Sequence, residues 1–445
     1  MIGIVGGGIA GLAAAHRLQK HGHEVRVFEA SDQVGGLAAV HETAGDPIEK
    51  FYHHLSKSEE TIVDLAAGLG LGEAVEWRVG KNAYYVEGVV HPMDTPWQIL
   101  AYPHLSVYDK FRLGMLVLGI DVRGAPSRAT YEEFTDFEDV PIEEFLLEHT
   151  TRGVFENFFL PLLEAKFGDR WQDVSAAWLL GRIRFRGERD LLRGEILGYL
   201  DGGFGRLLDE LVAAVGRENI ETNRRVTALD TADGALRSLT VEPTGGAAKE
   251  GETTHDVEDV VIATMPNVLE SLTGYTCEID FQGTVCSVIS IAESLTDTYW
   301  LNIADDAPFG ALIEHTSFVP PERYGGEHLL YAPRYVQDLD SEFWGMDDGA
   351  IEEQWLAGIE SLFPSFDRSS VNWIETARAP RTAPIYERGY LDMVVPYDLG
   401  EAVADGVYYA GMASRAQYPE RSLNGGIVAG FECADRIASG NSHQG

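Results

Sequence analysis

Residues 1–29 read MIGIVGGGIAGLAAAHRLQKHGHEVRVFE, and this stretch decides the fold. The apolar run Ile2 to Val5 predicts a buried strand that passes directly into Gly6-Gly7-Gly8-Ile9-Ala10-Gly11 and then a helix. A second strand, Glu24 to Phe28, ends on Glu29 and Ala30. Each part suits a dinucleotide. Gly6 permits the tight turn, and Gly8 lacks the Cβ that would block a pyrophosphate. Gly11 lets the helix pack on the strands, while the helix start at Ile9 and Ala10 offers unpaired N–H groups to phosphates. Glu29 stands where a carboxylate accepts hydrogen bonds from a ribose diol. Strand, turn, helix, strand and acid fall in order, which a bare glycine-rich turn would not produce.

At 445 residues the chain is too long for one simple core and predicts two interleaved domains. Its 45% apolar content is that of an ordinary globular protein. The longest apolar stretches, such as Leu113 to Ile120, are too short for a transmembrane segment. A first strand starting at residue 2 leaves no room for a leader peptide, so a cytoplasmic location is expected. Cys277, Cys286 and Cys433 have neither disulfide-framework nor metal-ligand spacing, and no metal is expected. The formal charge of -37 argues against nucleic acid as a partner, because phosphate backbones need basic surfaces. Of 34 basic residues only 7 are lysine, and none follows Lys249. Such acid-rich, lysine-poor surfaces resemble those of halophilic proteins, whose carboxylates hold water against concentrated salt.

Beyond Glu29, Gly35-Gly36-Leu37 allows a loop to cross close over a cofactor. Glu49-Lys50-Phe51-Tyr52-His53-His54 follows, then a helical segment from Glu59 to Gly70. Residues 76–199, rich in aromatics, read as a mostly helical cap, with helices over Tyr131 to His149 and Arg152 to Phe167. A second nucleotide-binding block runs from residue 200. It has a helix ending at Val215, strands around Val226 and Leu239, a polar hairpin tip from Pro243 to Thr254, and the strand Asp259 to Thr264 containing Ala263. Residues 275–375 depart again, with strands over Thr284 to Ile291 and Leu329 to Tyr335 and a helix near Ile351 to Leu362. The last block, Tyr408-Tyr409-Ala410-Gly411 and a helix from Gly425 to Ala438, returns to the first theme.

Together these landmarks resemble the flavin-containing amine oxidase superfamily, most of all its protoporphyrinogen-oxidase and carotenoid-desaturase branch, with a further likeness to UDP-galactopyranose mutase. The resemblance rests on GGGIAG at 6–11, Glu29, GGL at 35–37, Val226, IAT at 262–264 and YYAG at 408–411. It implies an α/β fold: a glutathione-reductase-like FAD-binding Rossmann domain from residues 1–75, 200–274 and 376–445. A sheet-and-helix substrate domain with a helical cap would come from 76–199 and 275–375. The implied cofactor is FAD. The backbone of Val226 would meet the adenine, and Ala263, Gly411, Gly425 and Gly426 would lie along the cofactor. Two departures stand out. Amine oxidases often place a lysine beside the flavin on the strand matching Thr284 to Ile291, and this chain has none there. Met412 also replaces the Glu, Asp or Arg that often follows the YYAG-like glycine.

His53 and His54 are candidates for a histidine against the flavin ring, moving a proton or tuning its electronics. The competing reading is a hydrogen-bonded histidine at a helix start, and His54 is the preferred member of the pair. Arg182, Arg184, Arg186, Arg189 and Arg193 could hold an anionic substrate group, although pairing with Glu188, Asp190 and Glu195 is the better reading. Arg378, Arg381 and Arg388 flank a segment that relatives run beside the flavin, and Arg381 is the candidate stabiliser of an anionic reduced flavin. Tyr386 could line the substrate pocket or serve only in packing.

The reading that follows is an FAD-dependent oxidoreductase that takes hydride from a C–H or C–N centre of a small molecule onto flavin N5. An isoprenoid or porphyrin-like substrate is expected, with oxygen or a quinone-like acceptor and room for a homo-oligomer. Two alternatives stay open: a mutase-like, non-redox flavoenzyme acting on a nucleotide sugar, and a non-catalytic FAD-binding assembly protein.

Overall fold

A computed structural model describes residues 1–117, 134–185, 189–190, 194–245 and 251–441. Its first sheet is fully parallel, in the order Ile220–Glu221, Val25–Phe28, Ile2–Val5, Asp259–Ile262, Val407–Tyr409. These strands come from both ends and the middle of the chain. Their short apolar runs are buried on both faces, as a parallel sheet covered by helices requires. The helices Ile9–Lys20, Gly203–Val215 and Leu423–Asn441 pack together beside it. Small residues allow the closest approach: a Cβ on Gly430 would stand 2.4 Å from the Ala10 carbonyl oxygen.

A second sheet of seven strands follows the order Val371–Pro384, Phe281–Ile291, His328–Val336, Ala311–Glu314, Trp300–Ile303, Asn82–Val86, Val89–Pro92. Asn82–Val86 pairs in parallel with Trp300–Ile303, so segments more than 200 residues apart share one sheet. All other pairings in it are antiparallel. Phe281–Ile291, the second strand in this order, pairs antiparallel with both neighbours and is buried along nearly its whole length.

The expectation of a mostly helical segment from residue 76 needs correction. Val75–Gly80, Asn82–Val86 and Val89–Pro92 are strands, and helices begin only at Pro96–Ala101. The β-branched and aromatic residues here pair across strands instead of forming a helix face. A single helix over Tyr131 to His149 is not seen either. Residues 131–133 lie outside the described residues, and Ile142–His149 starts after Pro141, which cannot continue a helix begun upstream. The expected helix from Arg152 to Phe167 widens at Phe155–Phe159 into a π-helical turn ahead of Pro161, then resumes as Leu160–Phe167. Of the polar tip, Pro243 ends one strand and Thr253 opens the next, while 246–250 lie outside the described residues.

Candidate active site

A cavity of about 880 Å³ runs from the first glycine turn to the cap helices. At one end the backbone is bare. Gly8 has an extended φ of -75°, and a Cβ built on it meets nothing closer than the Gly35 oxygen at 4.0 Å. Gly35 and Gly36 have φ of 117° and 56°, conformations that glycine takes without strain, and they bring their loop against Gly8. The helix Ile9–Lys20 begins without a side-chain cap, leaving its N-terminal donors to a ligand. Glu29 is held at the rim: Gly7 N–H donates to its Oε2 at 2.7 Å, and the Ser31 N–H and hydroxyl donate to its Oε1 at 2.9 and 2.7 Å. An open phosphate cradle and a positioned carboxylate on one sheet edge fit a dinucleotide cofactor.

Of the residues singled out in the sequence, Gly6, Gly8, Ile9, Ala10 and Glu29 line this cavity. So do Gly35, Gly36, Leu37, Ala263, Gly411 and Met412, together with Gly426, His53 and His54. Others do not. Gly11 is a packing glycine, since a Cβ there would fall 2.0 Å from the Gly6 oxygen. Gly425 packs under the turn at Arg415–Gln417, with the Ala416 oxygen 2.5 Å from a built Cβ. Val226 is buried in the three-stranded sheet of Arg224–Ala232, Ala235–Pro243 and Thr253–Asp256. Ala30 sits in a neighbouring groove, its carbonyl accepting from Thr244 Oγ1 at 2.5 Å. Arg381 stands on Val371–Pro384 and does not line the cavity, although its neighbour Pro380 does. Tyr386 is wholly buried, its hydroxyl donating to the Gln417 oxygen at 3.1 Å.

The chain belongs to the flavin-containing amine oxidoreductase family. The family profile, described as flavin containing amine oxidoreductase, matches residues 9–438, nearly the whole chain. FAD is accordingly the cofactor, and the bare glycine cradle with Glu29 is where this chain would hold it. A flavin-dependent L-tryptophan oxidase from Lentzea aerocolonigenes is 26% identical over 82% of this chain and 80% of its own length. A flavin-containing monoamine oxidase named from Mycobacterium tuberculosis is 27% identical, with 48% of each chain aligned. The alignment therefore spans about half the length of that relative. Among solved structures, a protein named as a protoporphyrinogen oxidase from Exiguobacterium superposes with a TM-score of 0.75 at 17% identity, covering 99% of this chain and 98% of its own. Reduced UDP-galactopyranose mutase gives 0.72 at 16% identity over 98% and 95%. These likenesses establish the fold.

The other end of the cavity carries groups that, apart from Arg182, sequence reasoning did not select. Lys166, on Leu160–Phe167, lies against Glu420 with Nζ 2.9 Å from Oε1. Arg182 approaches the other oxygen of Glu420 at 3.1 Å, and both cations lie 5.1 Å from the Trp178 ring. Burial lowers the Lys166 ammonium to about 8 against the opposing pull of Glu420. Tyr52 and Tyr335 share a hydrogen bond of 2.8 Å, and Arg421 Nη2 donates to the Tyr335 oxygen at 3.1 Å. Burial pushes the Tyr335 phenol up, but the charges of Arg421 and Lys166 outweigh it and hold the phenol below its ordinary value. Tyr52 moves the opposite way, raised first by burial and then by Tyr335.

The two histidines separate in role. His54 Nδ1 stands 3.0 Å from the Tyr299 hydroxyl. His53 has a buried Nδ1 with no hydrogen-bond partner among the described residues. Burial, then the nearby Arg421 charge, lower it to about 3, so its imidazole is neutral at physiological pH. Of the arginine cluster, Arg182 lines the cavity and Arg184 is exposed. Arg186 and Arg193 lie outside the described residues, and nothing is described of the Arg189 side chain.

The strand Phe281–Ile291 has no lysine, as its sequence requires. Lys166 reaches the cavity from the cap instead. The available signals were slight: Tyr52 sat within the quoted EKFYHH, and Lys166 is one of only 7 lysines.

Proposed function

We propose that this family member oxidises a C–H centre, adjacent to carbon or nitrogen, of a largely apolar small molecule. The observation that carries this reading is the continuity of the cavity. It runs from the dinucleotide cradle into a compartment walled by Leu113, Phe158, Phe159, Leu162, Leu179 and Ile183. Such walls bury an apolar body and exclude water. FAD, when bound, supplies a two-electron acceptor. The chain would position the substrate, keep the site dry and hold a proton. Tyr335, a cavity-wall phenol hydrogen-bonded to Tyr52 and to Arg421, is the group that would hold a proton there.

A mutase-like reading has less support, because Arg182 is engaged by Glu420 and Arg184 does not line the cavity. A purely assembly-related role leaves a built, cation-bearing cavity without use. The test is anaerobic mixing of FAD-loaded protein with apolar amines, prenyl compounds and porphyrinogens. Bleaching of the visible flavin band, with oxidised product recovered in equal amount, supports oxidation. Unchanged flavin with all three classes, despite bleaching by dithionite, would refute it.

A further inference from the structure

Arg421 is unusual in its pairing. The chain has 71 acidic against 34 basic residues, and its surface guanidinium groups readily find carboxylates. Arg17 meets Asp435, Arg368 meets Glu353 and Glu360, and Arg323 meets Glu76 and Asp201. Arg421, set in the cavity wall just before Leu423–Asn441, meets none among the described residues. The one side-chain hydrogen bond it makes among the described residues is to the Tyr335 hydroxyl at 3.1 Å, and the phenols of Tyr335, Tyr52 and Tyr386 lie around it. Glu420, next to it in sequence, is occupied by Lys166 and Arg182.

The remaining acids of the wall do not offset it. Glu59 accepts from Ser56 N–H at 2.7 Å, Glu195 receives Asn82 Nδ2 at 3.4 Å, and Glu29 is at the glycine turn. A guanidinium has five donors and does not lose its proton. A cavity-facing one beside two phenols and a lysine is therefore a receptor for an oxyanion. The apolar compartment beyond it would take a hydrocarbon body.

We infer that the substrate is an amphipathic acid, with a carboxylate held by Arg421 and the Tyr52–Tyr335 pair and an apolar body in the cap compartment. This rests on the oxidoreductase reading for its chemistry, though the binding it invokes can be measured without turnover. The experiment uses oxidised, FAD-loaded protein. Octanoate, octylamine and octanol are titrated by calorimetry, and perturbation of the flavin absorbance is followed in parallel.

Octanoate should bind at least tenfold more tightly than either partner of equal length. Arg421→Met should abolish that preference, and Arg421→Lys should restore part of it. Thermal unfolding and bound-flavin content check that each variant is folded. Equal or tighter binding of octylamine or octanol would overturn the inference, as would a preference untouched in Arg421→Met. If both variants fail to fold, the wild-type comparison of the three ligands still decides. Acid binding with no flavin bleaching by any substrate would sink the oxidation reading and leave the anion site standing. Bleaching by a neutral amine with no acid preference would do the reverse.

Discussion

Lys166 Nζ lies 2.9 Å from Glu420 Oε1, and both side chains are largely withdrawn from solvent at the cavity wall. A buried ion pair of this kind owes its stability to geometry, because desolvation opposes it. Burial has already brought Lys166 down to about 8. Its folded value is therefore below the unfolded one. Between about pH 8 and pH 10 the unfolded chain binds the extra proton, so stability contributed by this group rises with pH. Lys166→Arg stays charged in both states and should lack that rise. Denaturant titrations at several pH values should show wild type gaining up to about 2 kcal/mol on the variant across this window. Parallel curves for the two proteins would contradict it.

Glu314 gives the opposite slope. It is fully buried, accepting from Ser294 Oγ and Thr296 N–H at 2.6 Å each, and burial lifts its carboxyl to about 7. A folded value above the unfolded one means the fold is favoured at low pH and loses that advantage as pH climbs to about 7. Glu314→Gln imitates the protonated form. The variant should lose less stability than wild type between pH 5 and 8, by about 3 kcal/mol at most. Chemical denaturation at the two pH values measures it.

The two glycines of the turn should separate folding from cofactor binding. A Cβ on Gly11 would lie 2.0 Å from the Gly6 oxygen, so Gly11→Ala should destabilise the protein by about 3 kcal/mol or more. Gly8→Ala meets no protein atom closer than 4.0 Å and should shift apoprotein stability by no more than about 0.5 kcal/mol. Its methyl group would enter the phosphate cradle, and FAD affinity should fall at least tenfold. Equal flavin affinity in Gly8→Ala and wild type would show that the cradle is not where phosphates bind.

Salt should stabilise the molecule as a whole. With a formal charge of -37, self-repulsion acts over a screening length of about 10 Å at 0.1 M salt, which shrinks to about 3 Å at 1 M. The thermal midpoint should rise by about 5 °C or more between 0.1 and 2 M KCl. A flat or falling midpoint would count against the salt-adapted reading of the surface.

Sequence by itself determined the dinucleotide end of this protein. The elements that make it are local: Ile2–Val5, the turn at Gly6 to Gly11, the helix Ile9–Lys20 and the strand leading to Glu29 are consecutive. Their roles follow from steric limits on glycine and from unpaired helix donors, which need no distant partner. Gly11 was legible as a packing glycine, whereas only the structure shows that Gly425 serves close approach to the turn at Arg415–Gln417 and not the cavity.

The other end was decided by tertiary structure. Lys166 from the cap, Tyr335 from the large sheet, Tyr52 from the loop after Gly36 and Arg421 before the last helix are scattered through the sequence. None belongs to a spacing pattern that a local rule could detect. Their chemistry arises because burial and mutual charge act through space: two cations offset the burial that would otherwise raise Tyr335, and Arg421 helps keep His53 neutral. Glycine geometry is written residue by residue, whereas a shared low-dielectric cavity exists only once the two sheets and the cap have closed around it.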